Sequence, residues 1–306
     1  MAVSRLCLVF LLSALGLTAT SLVLVALVQF SIPGVSALLV SLVVSIVLAS
    51  LFLSILATAH NTPVPKWRLK ESPVHVLVVL GSGGHTAEMF SMLQRMRPSA
   101  AKWTYRTYVV SSGDRFSAKK AAEFESTLGR DSEDISYSIV TVPRARRVHQ
   151  SYLTAPFTTL LSFWSCLLVL CGRHPDQQQQ KRPVQLPSPY PDLIITNGPA
   201  TAVCVILAAR LLRLYHCCLS FVPAAKLHSH TRTVPGARSD EEASAAEFFR
   251  LRTIFVESWA RVKTLSISGK LLLPFADRFL VQWPMLEGKR AWWGMRKAEY
   301  VAGLVG

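Results

Sequence analysis

The sequence predicts an α/β protein, a mostly parallel sheet covered by helices, placed behind a pair of membrane-spanning helices. Three observations predict it. Between Arg5 and His60 there is no Asp, Glu, Lys, Arg or His. After that stretch, short Val/Ile/Leu-rich runs alternate with longer helical patterns, as when strands buried on both faces are crossed over by helices. Finally, Val78-Val79-Leu80 leads straight into Gly81-Ser82-Gly83-Gly84, a buried strand ending on a glycine-rich turn.

The charge-free stretch holds two apolar runs, 6–30 and 35–57, separated by Ser31-Ile32-Pro33-Gly34. Each reaches the length of about 20 residues that a membrane helix needs. Pro33-Gly34 is a turn signal that breaks a continuous helix, so residues 1–60 read as a helical hairpin anchor. Arg5 precedes the first run and Lys66, Arg68 and Lys70 follow the second. The positive-inside rule then places both flanks in the cytosol. The rival reading makes residues 1–30 a cleaved signal peptide; it is the weaker one, because the leading region carries a single Arg and the apolar stretch exceeds a typical signal core. Both readings leave residues 61–306 in the cytosol.

Mean hydropathy is +0.34 and 51% of residues are hydrophobic, which excludes a disordered polar chain. Arg5 is the one charged residue of the anchor, so residues 61–306 hold 32 of the 33 Lys and Arg and all 18 Asp and Glu, a net charge of +14. Such a basic face beside a membrane suits anionic headgroups or a phosphate-bearing substrate. No nucleic-acid reader motif or regular Arg/aromatic interleaving is present, so nucleic acid is not the expected partner. Six cysteines in 306 residues do not make a disulfide scaffold. Cys217-Cys218 has no second pair at zinc-ligand spacing, so the expectation is a reduced protein with no metal site and no cofactor.

Within residues 61–306, expected strands lie at 75–80, 107–111, 136–142, 192–196, 253–257 and 279–282, with 214–219 a candidate for a further one. Expected helices lie at 84–96, 117–128, 155–171, 200–212 and 262–273. Residues 172–191, with Gln177–Gln180 and several prolines, read as a flexible polar insertion, and 220–246 as a second insertion. Residues 153–171 carry no charge, but Pro156, the Ser/Thr content and the neighbouring Arg144, Arg146 and Arg147 favour a core or interfacial helix over a third span.

The strongest chemical signal is Gly81-Ser82-Gly83-Gly84-His85-Thr86-Ala87-Glu88. Glycines let backbone N–H groups close on an anion, and the following helix N-terminus adds partial positive charge. Gly81, Ser82, Gly83, Gly84 and Thr86 therefore read as a diphosphate cradle. A dinucleotide site is disfavoured: Thr86 replaces the third fingerprint glycine, Ala101 stands where an acidic ribose ligand is needed, and a P-loop Lys is absent. His85, at the loop's edge, can contact phosphate or take a proton from a hydroxyl, or simply bond to backbone at the helix start. Glu88 suits a first helical turn as well as a cleft. Asn197-Gly198-Pro199, Glu257-Ser258 and Gln282-Trp283-Pro284 each follow a strand, and ligands of open α/β sheets bind outside the carboxyl ends of strands.

Five blocks in order resemble one family: Gly-Ser-Gly-Gly-His-Thr-x-Glu at 81–88, Asn-Gly-Pro at 197–199, Val-Glu-Ser at 256–258, Arg-Val-x-Thr-Leu-Ser-x-Ser-Gly-Lys at 261–270 and Val-Gln-Trp-Pro at 281–284. The family is the membrane-anchored subunit of the UDP-N-acetylglucosamine transferase of the dolichol pathway. The resemblance spans about 74–306 apart from the two insertions. It implies a Rossmann-like acceptor half of a split GT-B glycosyltransferase, inactive alone. A soluble catalytic subunit would supply the UDP-GlcNAc donor half. The pair would add the second GlcNAc to dolichyl-diphosphate-GlcNAc at the cytosolic face of the endoplasmic reticulum membrane, with the nuclear envelope as its extension, early in N-linked glycosylation. On that reading Gly81–Thr86 hold the acceptor diphosphate, and His85 and Glu257 are the catalytic candidates. Glu88, Asn197, Gly198, Ser258 and Arg261 line the cleft, and Trp283, Trp292 and Trp293 meet the partner. The alternative is a pure membrane scaffold that recruits the soluble subunit without touching substrate. The sequence departs from the family pattern in its two apolar runs, where one anchor is common, and in the stretch 220–246.

Overall fold

The computed structural model describes residues 42–47, 73–96, 105–128, 136–146, 150–151, 154–180, 186, 188–198, 200–220, 250–290 and 297–304. The chain divides into two compact units, Met1–Pro63 and Val64–Gly306. In the first, residues 42–47 are helical and Val43 is buried. The remainder of the expected spans 6–30 and 35–57 lies outside the described residues. So do the expected insertion beyond Ser220, Arg147, Pro199, Trp292 and Trp293.

In the second unit, the chain alternates β1 (His75–Leu80), α1 (Gly84–Arg95), β2 (Tyr105–Ser111), α2 (Arg115–Leu128), β3 (Ser136–Val142), α3 (Ala155–Leu170) and the short α4 (Pro175–Gln178). It continues with β4 (Leu193–Asn197), α5 (Ala200–Ser220), β5 (Arg252–Val256), α6 (Ile267–Leu272), β6 (Arg278–Val281) and β7 (Glu299–Tyr300). The seven strands form one parallel sheet in the order β3-β2-β1-β4-β5-β6-β7. This is a Rossmann-like sheet. The chain winds outward in one direction from β1 to β3, then returns to β4 and winds the other way, so β1 and β4 flank the switch point.

The side chains of β1 show why it is central. All six of its residues are buried. Val76, Val78 and Leu80 face one side, where Met89, Phe90 and Leu93 of α1 and Phe124 of α2 cover them. Leu77 and Val79 face the other side, against Cys166, Val169 and Leu170 of α3 and Val205, Ala208 and Ala209 of α5. The period-2 alternation thus feeds two cores rather than one.

Two buried ion clusters tie helices to strands. Glu125 of α2 takes two hydrogen bonds from Arg106 of β2, at 2.6 and 2.5 Å, and one from the Tyr108 hydroxyl at 2.6 Å. Burial, reinforced by the Glu125 charge, pushes the Tyr108 phenol well above its ordinary value. On the other side, Asp277 pairs with Arg210 at 2.7 Å and Arg213 at 2.8 Å, both from α5.

α5, which carries both arginines, differs from its expected limits. Residues 214–219 do not form a strand; they continue α5, which runs to Ser220 rather than ending near 212. Arg210 and Arg213, three apart, lie on one helical face and reach the same carboxylate, and beyond them Leu214 is buried and the His216 ring packs edge-on to Tyr190 with centroids 5.1 Å apart, so the packed face of α5 extends past the expected stop. The seventh strand is β7, only two residues long and too short to show any period. α6 begins at Ile267 instead of 262, because Ser266 caps it by accepting a hydrogen bond from the Gly269 N–H at 2.9 Å. The start of the segment 172–191 is not a loose loop. The Asp176 carboxylate accepts from the Thr141 N–H at 2.8 Å, and Gln180 donates to the Ile139 carbonyl at 3.3 Å. These bonds cover the open edge of β3.

α3 is apolar on two sides. Ser162, Cys166, Val169 and Leu170 are buried, while Phe157, Leu160, Leu161 and Trp164, at spacings of three and four, are 57–75% exposed. Ala155–Gln178 is the one helical stretch among the described residues long and apolar enough to cross a membrane by length and composition.

Candidate active site

The carboxyl ends of β1, β4 and β5, three adjacent strands, open onto a cavity of about 460 Å³. Each contributes one turn. After β1, the chain bends at Gly83 (φ 62°) and starts α1 at Gly84. Gly83 offers no side-chain cap, and the first helical turn carries no acidic residue. The Thr86 and Ala87 N–H groups donate to the Gly83 carbonyl, so those of Gly84 and His85 are the ones this helix start offers to an anion. A Cβ built on Gly84 would meet nothing within 4 Å, so the space above the first turn is open.

After β4, Gly198 (φ 81°) turns the chain under the His85 ring. A Cβ at Gly198 would lie 2.7 Å from His85 Cγ and Nδ1, so only glycine admits the imidazole here. After β5, Glu257 and Ser258 begin a loop that runs to the Ser266 cap. The buried Glu257 carboxylate accepts from the N–H of Ser258 at 3.1 Å, the N–H of Ser266 at 3.0 Å and the Ser266 hydroxyl at 3.2 Å. Both its oxygens thus hold the two ends of one loop, and Gly269 is the residue that leaves room for it.

A polar chain links the three turns. The Ser258 hydroxyl donates to Glu88 Oε1 at 2.8 Å, Asn197 Nδ2 donates to Glu88 Oε2 at 2.8 Å, and Asn197 Oδ1 lies 3.0 Å from His85 Nδ1. Glu88 Oε2 is itself 3.7 Å from His85 Nδ1. Hydrogen bonding and charge from Glu88 raise the His85 pKa above its ordinary value; burial opposes them, and Asn197 and the Glu257 charge add to the rise. Burial pushes the Glu88 carboxyl upward, but the hydrogen bonds from His85, Asn197 and Ser258 outweigh it and the net shift is downward.

His85, Glu88, Gly198, Glu257, Ser258 and Arg261 all line the cavity, with Gly84 at its floor. Asn197 is fully buried behind His85. Thr86 stands apart from the rest of the expected cradle. It is fully buried, its hydroxyl donates to the Gly81 carbonyl and pairs with Ser117 Oγ at 2.6 Å, and its N–H donates to the Gly83 carbonyl. Thr86 braces the loop from inside. Gly81, Ser82 and Gly83 form the turn leading to the cavity, whose wall begins at Gly84. Ser266, Ile267 and Ser268 also line it. The sequence reading missed them by extending a helix across 262–273; the Ser266-x-x-Gly269 capping pattern was the available signal. Trp283 packs on Trp259 with ring centroids 5.6 Å apart and donates its indole N–H to the Trp259 carbonyl at 2.7 Å. Gln282 donates to the Glu257 carbonyl at 2.9 Å, tying the β6 turn to the site.

Chemically, the site offers backbone donors at a helix start, a cationic Arg261, and an imidazole at the rim backed by a carboxylate. That set can hold a phosphate-bearing ligand and remove a proton from a hydroxyl beside it.

A family model described as "Oligosaccharide biosynthesis protein Alg14 like" matches residues 76–304. A UDP-N-acetylglucosamine transferase subunit alg14 of Aspergillus fumigatus is 57% identical over 230 residues, covering 71% of this chain and all of that protein. The protein of the same name in Schizosaccharomyces pombe is 34% identical over 257 residues, 83% of this chain and 93% of its own. The ALG14 subunit of Rattus norvegicus is 31% identical over 217 residues, 70% and 77% respectively. No solved structure matches.

Proposed function

The chain belongs to the Alg14 family, and from that premise we propose that it is the acceptor-binding, membrane-anchored half of a two-subunit N-acetylglucosaminyltransferase, inactive alone. The soluble partner supplies UDP-GlcNAc, and the complex adds the second GlcNAc to dolichyl-diphosphate-GlcNAc at the cytosolic face of the endoplasmic reticulum membrane. The observation that carries this reading is the uncapped start of α1 at the switch point, with open space above Gly84 and His85 beside it.

The roles follow from the geometry. N–H groups at the helix start, with Arg261 across the cavity, hold the acceptor diphosphate. The sugar hydroxyl then lies near His85. As its oxygen attacks the donor's C1, the bond from C1 to the UDP oxygen breaks, UDP leaves with that electron pair, and the hydroxyl proton passes to His85. Glu257 serves by holding the loop that carries Ser258 and Arg261. The Trp259–Trp283 pair, with exposed Val262, Ile267 and Met285 nearby, supplies an apolar face for the donor subunit.

Gly84→Val separates this reading from a pure scaffold. The added side chain enters open space and leaves a permissible backbone, so folding and partner capture should persist. Turnover by the complex purified from membranes, assayed with UDP-GlcNAc and a dolichyl-diphosphate-GlcNAc analogue, should fall at least about tenfold, the scale of about 1.4 kcal/mol of lost binding. Normal turnover would make the chain a scaffold.

The exposed stripe of α3, with Arg144, Arg146 and Arg173 near its ends, suits the headgroup boundary of an anionic membrane. A nitroxide on Leu161→Cys, in the full chain in vesicles, should be shielded from a water-soluble relaxing agent and accessible to oxygen. A label on exposed Lys119→Cys should show the reverse; equal behaviour at both sites would remove α3 from the membrane surface.

A further inference from the structure

We propose that Glu88, acting through Asn197, fixes the tautomer of His85, so that Nδ1 carries the proton and the Nε2 lone pair is the one that accepts from substrate. The proposal rests on the reading of His85 as the base, and it makes Glu88 and Asn197 positioning residues.

The direction of each hydrogen bond is forced by the one before it. An ionised carboxylate only accepts. With Glu88 ionised, the Ser258 hydroxyl must donate to Oε1 and the Asn197 NH2 must donate to Oε2. The Asn197 amide is thereby oriented with its oxygen toward His85, 3.0 Å from Nδ1. An amide oxygen also only accepts, so Nδ1 must be the protonated nitrogen. The hydrogen bond made by one ring nitrogen thus decides which lone pair the other presents. Asn197 is fully buried at the end of β4 and Ser258 is buried after β5, while Glu88 and His85 share one face of α1. The arrangement is therefore held by three packed elements. The charged groups facing His85 are Glu88 from its own helix, Glu257 from the turn after β5, and Arg261 from the loop that lines the same cavity; the end of β4 contributes the neutral Asn197.

The test is nitrogen NMR of the full chain in detergent micelles with labelled histidine, His85→Gln assigning the resonance. The wild type should show the Nδ1–H form. In Glu88→Gln, the new amide can donate to Asn197 and let it turn over, so the proton should move to Nε2. Ser258→Ala keeps the Glu88–Asn197 bond and should keep the wild-type tautomer. An Nε2–H form in the wild type, or no change in Glu88→Gln, would overturn the proposal. In the reconstituted complex, Glu88→Gln should lower turnover about 100-fold, the scale of a misdirected general base. The acidic limb of its pH profile should move to lower pH, because the charge that raises the His85 pKa is gone. If the tautomer changes while turnover does not, the relay stands and His85 as base fails. If turnover falls with the tautomer unchanged, the relay fails.

Discussion

Replacing Asp277 with Ala should destabilise the Val64–Gly306 unit by about 3–5 kcal/mol, because it leaves two buried guanidinium groups without their anion. Arg210 is fully buried and Arg213 nearly so. The carboxylate also accepts from the Thr253 N–H at 2.9 Å and from the Thr253 hydroxyl at 3.1 Å, so β5 loses a partner as well as α5. Against a typical total of about 5–15 kcal/mol, such a loss removes much of the folded population. Urea titration followed by circular dichroism measures it. Removing the whole cluster, as Arg210→Met/Arg213→Met/Asp277→Leu, should recover part of the loss, since no buried charge is then left alone. A single variant as stable as the wild type would show that other groups or water compensate the arginines.

The same cluster sets a pH dependence. Burial raises the Asp277 pKa, but the two arginines and the Thr253 bonds outweigh it and the net shift is strongly downward. A carboxyl whose folded pKa is depressed contributes stability that is fully present above its unfolded pKa, about 3.9, and is lost as pH falls toward the folded value. Acid unfolding should therefore steepen below about pH 4 in the wild type, and Asp277→Asn should flatten that part of the curve.

Gly198→Ala should lower turnover of the complex about 10²–10⁴-fold, as much as His85→Ala, because both remove a positioned base. The added Cβ would lie 2.7 Å from two atoms of the His85 ring, and the residue sits at φ 81°, where an L side chain costs about 1–2 kcal/mol. The ring must leave its place over the β4 turn, which breaks its bond to Asn197. Kinetics of the double variant are decisive: Gly198→Ala with His85→Ala should be no slower than His85→Ala alone, since residues acting as one unit are not additive. A much slower double variant would show that Gly198 serves the reaction by some other route.

Much of the fold was legible because its signals are local. β1 and β3 match their expected limits: β1, buried on both faces, reads as a near-continuous Val/Leu run, while the edge strand β3 alternates buried Ser138, Val140 and Val142 with exposed Tyr137 and Thr141. α1 starts at Gly84, where the glycine turn ends. The differences have separate causes: β7 is too short to carry a period, α5 continues past 212 where Leu214 is buried and His216 packs on Tyr190, a contact distant in sequence, and the local Ser266 cap cuts α6 short.

The site divides in the same way. The glycine turn, the helix that starts from it, and the polar residues at the ends of β4 and β5 are legible along the chain, because backbone conformation and burial period are written in neighbouring residues. The meeting of Glu88 with Asn197 and Ser258, which lie 109 and 170 residues further along the chain, comes from the folded sheet. So does the use of the Thr86 and Glu257 side chains in bracing their own loops. The reason is the strand order: placing β4 and then β5 beside β1 brings three turns to one rim, and no local pattern in the chain states which strand will be the neighbour of which.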